Sequence, residues 1–242
     1  RDFSISFNQD FIGFINLGLF TKNIRNLIFS SGRRYISDPN EFGLPENVEK
    51  WQILNYTSNN SYGVLLKGLE IDYQTRFWYL PGIFNGLVLN SNYTIIKSDV
   101  KYPRSILDQF FDWDATPPVV ITTVIDTFYT DRLIDQPNEI INISLGYDYK
   151  GFSGRLSMLY KSNVFKQTNF WPELRESTDD YRRWDISLKQ KLPINGLGLF
   201  FNGSNLTNAT DINRFRGSTI INNNDPSLSL EQYYGKTFDL GF

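Results

Sequence analysis

The stretch Ile141-Asn142-Ile143-Ser144-Leu145-Gly146-Tyr147-Asp148-Tyr149 alternates strictly between apolar and polar residues. Successive side chains of a strand point to opposite faces, so a period of two over nine residues predicts a β-strand with Ile141, Ile143, Leu145, Tyr147 and Tyr149 on one face. Asn142, Ser144, Gly146 and Asp148 take the other. The same division recurs in Leu69, Ile71, Tyr73, Thr75 and Phe77 against Gly68, Glu70, Asp72, Gln74 and Arg76. It returns in Trp184, Ile186 and Leu188 against Asp185, Ser187 and Lys189, in Leu197, Leu199 and Phe201, and in Phe238, Leu240 and Phe242. About nine strands follow, at 2–9, 13–29, 63–78, 86–99, 138–149, 152–165, 181–191, 197–206 and 231–242.

The connections alternate between short and long. Gln9 to Ile12, Leu80 to Gly86, Tyr149 to Phe152 and Leu192 to Gly196 are compact and hold the Gly, Pro, Asn or Asp that a reversal needs. The segments 30–62, 100–137, 166–180 and 207–230 are long and polar, and read as loops. Short turns at one end of an antiparallel sheet and long loops at the other are the pattern of a transmembrane β-barrel, with turns periplasmic and loops outside. Several strands run about 10 to 14 residues. A span needs about 9 to 11, whereas soluble strands are usually about 5 to 6. Charged residues on the polar face, Glu70, Asp72, Arg76, Asp148, Arg155, Lys189 and Asp239, suit a water-filled lumen rather than a dry core. Phe77, Trp78 and Tyr79, then Tyr147, Tyr149 and Phe152, and Trp184, Tyr233 and Tyr234 lie near strand ends, where interfacial belts form. No stretch reaches the roughly 20 apolar residues of a helical span, and Phe11–Phe29 is interrupted by Asn16, Lys22, Asn23, Arg25 and Asn26.

Composition restricts the chemistry. The 242 residues include no His and no Cys, so the usual zinc ligands, Ser-His and Cys-His nucleophile pairs and disulfides are excluded. A net charge of −2 gives no basic footprint for nucleic acid. The pair Asp179 and Asp180 beside Arg182 and Arg183 reads as a solvated loop rim rather than an acid pair. Asp112-Trp113-Asp114 lacks the Gly and the later Glu of an EF-type calcium loop. No catalytic residue, cofactor site or metal site is assigned, and the chain is read as a non-enzyme. The ligand-contact candidates are the large rings of the outer segments: Phe110, Phe111, Trp113, Phe170 and Trp171.

An odd number of antiparallel strands leaves the first and last parallel, whereas bacterial single-chain barrels have even counts. Together with a start at Arg1 inside a strand-like pattern, this leads us to read residues 1–242 as the C-terminal portion of one larger barrel domain. A miscounted strand is the competing explanation.

The sequence resembles the C-terminal β-barrel of TonB-dependent outer-membrane receptors, particularly the large receptors of Bacteroidota-like bacteria. The resemblance lies in Gly68 to Gly82, Gly86 to Thr94, Ser144 to Ser153, Arg183 to Lys191, Asn202-Gly203-Ser204-Asn205-Leu206-Thr207-Asn208 and Tyr233-Tyr234-Gly235. It implies an all-β transmembrane barrel of the 22-strand type, of which these are the last nine or so strands, with a plug domain and the N-terminal strands outside this chain. It further implies TonB-dependent uptake of a bulky, scarce nutrient across the bacterial outer membrane. The partners implied are outer-membrane lipid, the TonB complex acting through the plug, the remainder of the barrel, and a lipoprotein or other outer-membrane protein. A passive porin-like channel and a soluble β-sandwich binding module remain the alternatives.

Overall fold

The computed structural model describes residues 1–36, 38–49, 52–169, 171–194, 196–218 and 226–242. The first half of the chain forms β1 (Asp2–Gln9), β2 (Gly13–Ile24), β3 (Ile28–Tyr35), β4 (Ile53–Asn59), β5 (Val64–Arg76), β6 (Leu87–Asp112) and β7 (Val119–Asp131). The second half adds β8 (Glu139–Tyr149), β9 (Phe152–Lys161), β10 (Phe165–Gln167), β11 (Glu176–Thr178), β12 (Tyr181–Lys191), β13 (Gly198–Ser204), β14 (Thr210–Ser218), β15 (Pro226–Tyr233) and β16 (Thr237–Gly241). No described helix is long and apolar enough to cross a membrane.

Nine strands make one wall in the order β1-β2-β5-β6-β8-β9-β12-β13-β16, antiparallel throughout. Each overlaps one of the nine strands expected from the alternation. The register carries the apolar face unbroken from strand to strand. One row runs Phe7, Ile15, Tyr73, Ser91, Ile143, Met158, Trp184, and the next runs Leu89, Leu145, Leu156, Ile186, Gly203, Phe238. A one-residue slip anywhere would invert a strand, so the shared register shows that every strand obeys the same two-sided environment. Phe3, Ile5, Leu17, Leu19, Leu145, Leu156 and Phe238 are exposed on that face. A wall that presents its large apolar side chains outward suits hydrocarbon as its solvent.

All four short turns close the same end of the wall. There Phe11 stacks on Tyr79 at 4.3 Å and meets Trp78 edge-on at 5.9 Å, while the Trp78 indole N–H donates to the Asp10 carbonyl at 2.9 Å. Lys150 and Gly151 form the β8–β9 turn with φ of 45° and 82°, the left-handed backbone that a two-residue hairpin demands. β1 and β16 are the two ends of the path, each paired on one side only.

The opposite end departs from expectation. The four long segments read as loops hold further β-structure among the described residues. β6 does not stop near residue 99 but continues to Asp112 and pairs with β7 at every position from Val100↔Asp131 to Asp112↔Val119. β3 pairs with β4, and β10-β11-β14-β15 form a four-stranded sheet. The expected strand 13–29 is two strands, because Asn26 at φ 55° breaks the chain between β2 and β3. The expected strand 231–242 is also divided, with Gly235 at φ 72° between β15 and β16. β9 stops at Lys161 rather than running to 165. These breaks turn the chain from the wall into an outer layer.

Candidate ligand surface on the outer layer

The middle of the wall holds no buried apolar cluster among the described residues; the cluster lies at the end of the wall opposite the short turns. It forms where the outer layer meets the wall: Phe29 of β3, Val64 of β5, Val100 and Tyr102 of β6 and Phe165 of β10, with Ile24, Leu27, Tyr129, Leu133 and Ile134 packed against them. Tyr102 is fully buried, and its hydroxyl donates to the Arg132 carbonyl and accepts from the Ile134 N–H, both at 3.0 Å. Those two bonds fix the chain as it leaves β7. The Ser105 hydroxyl, also buried, donates to the Tyr35 carbonyl at 2.9 Å and ties β6 to β3. Asn60 reaches the Lys101 carbonyl at 2.9 Å.

Charged clamps hold the rest. Arg34 pairs with Asp126 at 2.8 Å and donates to the Tyr56 hydroxyl at 2.8 Å. Arg214 pairs with Asp179 at 2.8 Å, and Asp180 accepts from the Asn163 N–H at 2.7 Å and the Tyr160 hydroxyl at 3.0 Å. The tandem Asp179 and Asp180 therefore bind separate elements of this layer to one another. Arg216 pairs with Asp131, joining β14 to β7. Burial raises the proton affinity of the Tyr102 and Tyr129 phenols far above the usual value, so both stay protonated at neutral pH.

From this layer β6 and β7 project as a two-stranded ribbon. Its thirteen paired positions, at about 3.3 Å per residue, give it a length of roughly 40 Å. The distal part exposes Phe110, Phe111, Trp113, Val119, Val120, Ile121 and Ile125. Trp113 is 74% exposed and stacks on Phe111 at 5.7 Å, and the Asp112 carboxylate accepts the Asp114 N–H at 3.0 Å to cap the tip. The residues 105–131 contain Asp108, Asp112, Asp114, Asp126 and Asp131 but no Lys or Arg. The structure thus brings Phe111 and Trp113 together on an acidic, aromatic tip, with Phe110 beside them on the opposite face of the ribbon. Trp171 sits on a different element, at the start of the short turn Pro172–Leu174, and Phe170 lies outside the described residues.

The polar face of the wall is a second surface. Asp72 accepts from Asn16 at 3.3 Å and Asn92 at 2.5 Å, Asn16 accepts from Ser6 at 2.8 Å, and Ser157 donates to Ser144 at 3.0 Å. Arg155 and Asp148 pair at 2.7 Å, and Arg183 and Asp185 at 3.0 Å. Asp72, Asn92, Asn142, Ser144, Arg183 and Asp185 line a groove along this face. All seven charged residues assigned to the polar face from the sequence lie on it, with Arg76, Arg155 and Asp239 in one cross-strand row. The clustered arginines of the outer layer had no signature in the sequence, because Arg104, Arg175 and Arg216 are far apart in the chain and meet only where the β10-β11-β14-β15 sheet contacts the β6–β7 ribbon.

A family model described as TonB dependent receptor-like, beta-barrel, matches residues 1–206. No curated protein and no solved structure matches the chain.

Proposed function

The chain belongs to the TonB-dependent receptor-like β-barrel family, whose members are transport receptors of the bacterial outer membrane, and from that premise we propose that it serves active uptake of a bulky, scarce nutrient. The observation that carries this reading is the two-sided wall, apolar outward and polar inward, with every long connection at one end. A polar, hydrogen-bonding inner face offers a path to a solute too large for a simple pore. The outer layer offers the capture surface, with Phe110, Phe111 and Trp113 at the ribbon tip and the polar-face groove below it.

In this mechanism ligand is caught outside, TonB pulls on a plug within the completed barrel, and the plug's movement opens a route along the polar face. Residues 1–242 form the C-terminal part of that barrel, and β1 and β16 take their missing partners from its remainder. The acidic, apolar ribbon tip is the part of the outer layer open to a further outer-membrane partner.

The test is accumulation of candidate solutes in cells carrying the complete receptor, with TonB present or deleted. Uptake that vanishes without TonB, or when the proton gradient is collapsed, supports active transport. Uptake that persists unchanged identifies a passive channel instead. Trp113→Ala is expected to weaken capture by roughly tenfold, the loss of one exposed aromatic anchor.

A further inference from the structure

Three guanidinium groups, those of Arg104, Arg175 and Arg216, act on Tyr129, and the Asp131 carboxylate lies among them. Arg216 takes that carboxylate, donates its Nε to the Ser177 hydroxyl at 2.9 Å and lies over the Phe165 ring at 4.4 Å. Among the described residues neither of the other two guanidiniums has an ion-pair partner of its own. Arg175 is only 8% exposed; its guanidinium lies on the face of Tyr129, 3.4 Å from the ring centre, and its Nε donates to the Asn169 carbonyl at 3.3 Å. Its Nη2 is enclosed and has no hydrogen-bond partner among the described residues.

Arg104 stands on the same face of the ribbon as Tyr129. Tyr102 is the direct cross-strand partner of Tyr129 and Arg104 lies two residues further along β6, which makes Arg104 and Tyr129 diagonal neighbours. The Nε of Arg104 is enclosed with no hydrogen-bond partner among the described residues, and so is the Tyr129 hydroxyl. Elsewhere in the layer Arg34 is held by Asp126, Arg214 by Asp179, and Arg132 by the Asn163 carbonyl and side chain at 2.9 and 2.6 Å. Burial, and then the charges of Arg104 and Arg216, lower the proton affinity of Arg175, with Tyr129 and Asp131 acting the other way. A guanidinium nevertheless stays charged at neutral pH.

Enclosed cations are retained only where a counter-charge or hydrogen-bond acceptors meet them. Guanidinium donors match oxyanions in both shape and charge. We propose that Arg104, Arg175 and the Tyr129 hydroxyl form an oxyanion-binding site at the base of the ribbon. Its ligand is a phosphate- or sulfate-like group, either a free inorganic ion or an anionic group carried on a larger solute. Arg104 and Tyr129 are only half-buried, which leaves the site open on one side. Arg175 forms its inner wall, and Arg216 is kept from the ligand by Asp131. The site depends on β6, β7 and the β10-β11-β14-β15 sheet, so it stands whether transport is active or passive.

The experiment is calorimetric titration of the complete receptor in detergent with inorganic phosphate, sulfate and glucose 6-phosphate, at ionic strength held constant with sodium chloride. Saturable binding of at least one is expected. Arg104→Gln and Arg175→Gln should each weaken it about tenfold to a hundredfold, the loss of a charged hydrogen bond, and Tyr129→Phe about two- to tenfold. Asp131→Asn should tighten binding by releasing Arg216. Lys101→Gln, on the opposite face of the ribbon, should leave it unchanged. If Arg175→Gln fails to fold, the half-buried Arg104→Gln retains the test. Binding of the inorganic ions supports the site with a free anion as ligand, and binding of glucose 6-phosphate alone supports it with a group on a larger solute. No saturable binding of any of the three, unchanged binding in Arg104→Gln, or equal weakening by Lys101→Gln would overturn it.

Discussion

Leu145 and Ser144 are adjacent in β8 and differ in everything that the membrane senses. Leu145 is half exposed on the apolar face between Leu89 and Leu156, while the Ser144 hydroxyl accepts from Ser157 on the polar face. Leu145→Arg is expected to cost roughly 2 to 4 kcal/mol where the residue lies at the bilayer midplane, and Ser144→Arg much less. Denaturant titration of the assembled barrel checks this, and equal costs would reverse the face assignment. Gly68 shows why a residue without a side chain is needed on a wall strand. A Cβ there would stand 2.1 Å from the Phe20 ring, which covers Gly68 across the β2–β5 pair.

The element that governs the outer layer is β6, whose first half belongs to the wall and whose second half forms the ribbon. An isolated two-stranded ribbon is marginal in water, so its base must be held by packing. Tyr102 provides that hold. Tyr102→Phe removes both the donor to the Arg132 carbonyl and the acceptor for the Ile134 N–H, and should lower the stability of the layer by about 1 to 3 kcal/mol. Faster amide exchange confined to residues 132–136, with the wall unchanged, is the expected result. The same phenol, with Tyr129, predicts a pH effect. Burial raises both above their ordinary value of 10.0. The opened state therefore loses its protons before the packed state does. The stability contribution is whole below pH 10, where both states keep their protons, and is lost progressively as pH rises beyond that value. Proteolysis of the ribbon should accelerate only in that alkaline range, together with late tyrosinate absorbance. Acceleration below it would contradict the assignment.

At the scale of the molecule, the wall has two strand edges with no partner among the described residues, β1 and β16. In hydrocarbon each unpaired backbone group costs several kcal/mol, so under the proposed reading the edges take strands from the rest of a barrel. Residues 1–242 refolded alone in detergent should give aggregates or mixed oligomers by size-exclusion chromatography. A monodisperse monomer with heat-modifiable gel mobility would show instead that this chain closes by itself. Orientation is tested on intact cells carrying the complete receptor: Asp112→Cys at the ribbon tip should react with an impermeant thiol reagent, and Lys150→Cys in the β8–β9 turn should not. The opposite labelling would invert the topology.

Alternation by itself determined the nine wall strands, their faces and the end at which each short turn lies, because a period of two is a local property that survives any register consistent with one apolar side. It also placed Phe110, Phe111 and Trp113 in one outer segment. The same reading missed that the long polar segments are themselves β-structure. There neither face meets a uniform solvent, so strands such as β3, β10 and β14 carry no clean alternation and are set by pairing with distant partners. The breaks at Asn26 and Gly235 were hidden for a related reason, since the residues on both sides continue an extended, mixed pattern. The tertiary structure alone decided the core around Tyr102 and Phe165 and the gathering of Arg104, Arg175 and Arg216 about Tyr129. Those residues are separated by tens of positions in the chain, and nothing local requires them to meet. They meet because side-chain contacts, the Arg216–Asp131 ion pair among them, hold the β10-β11-β14-β15 sheet against the β6–β7 ribbon, and those contacts exist only in the folded molecule.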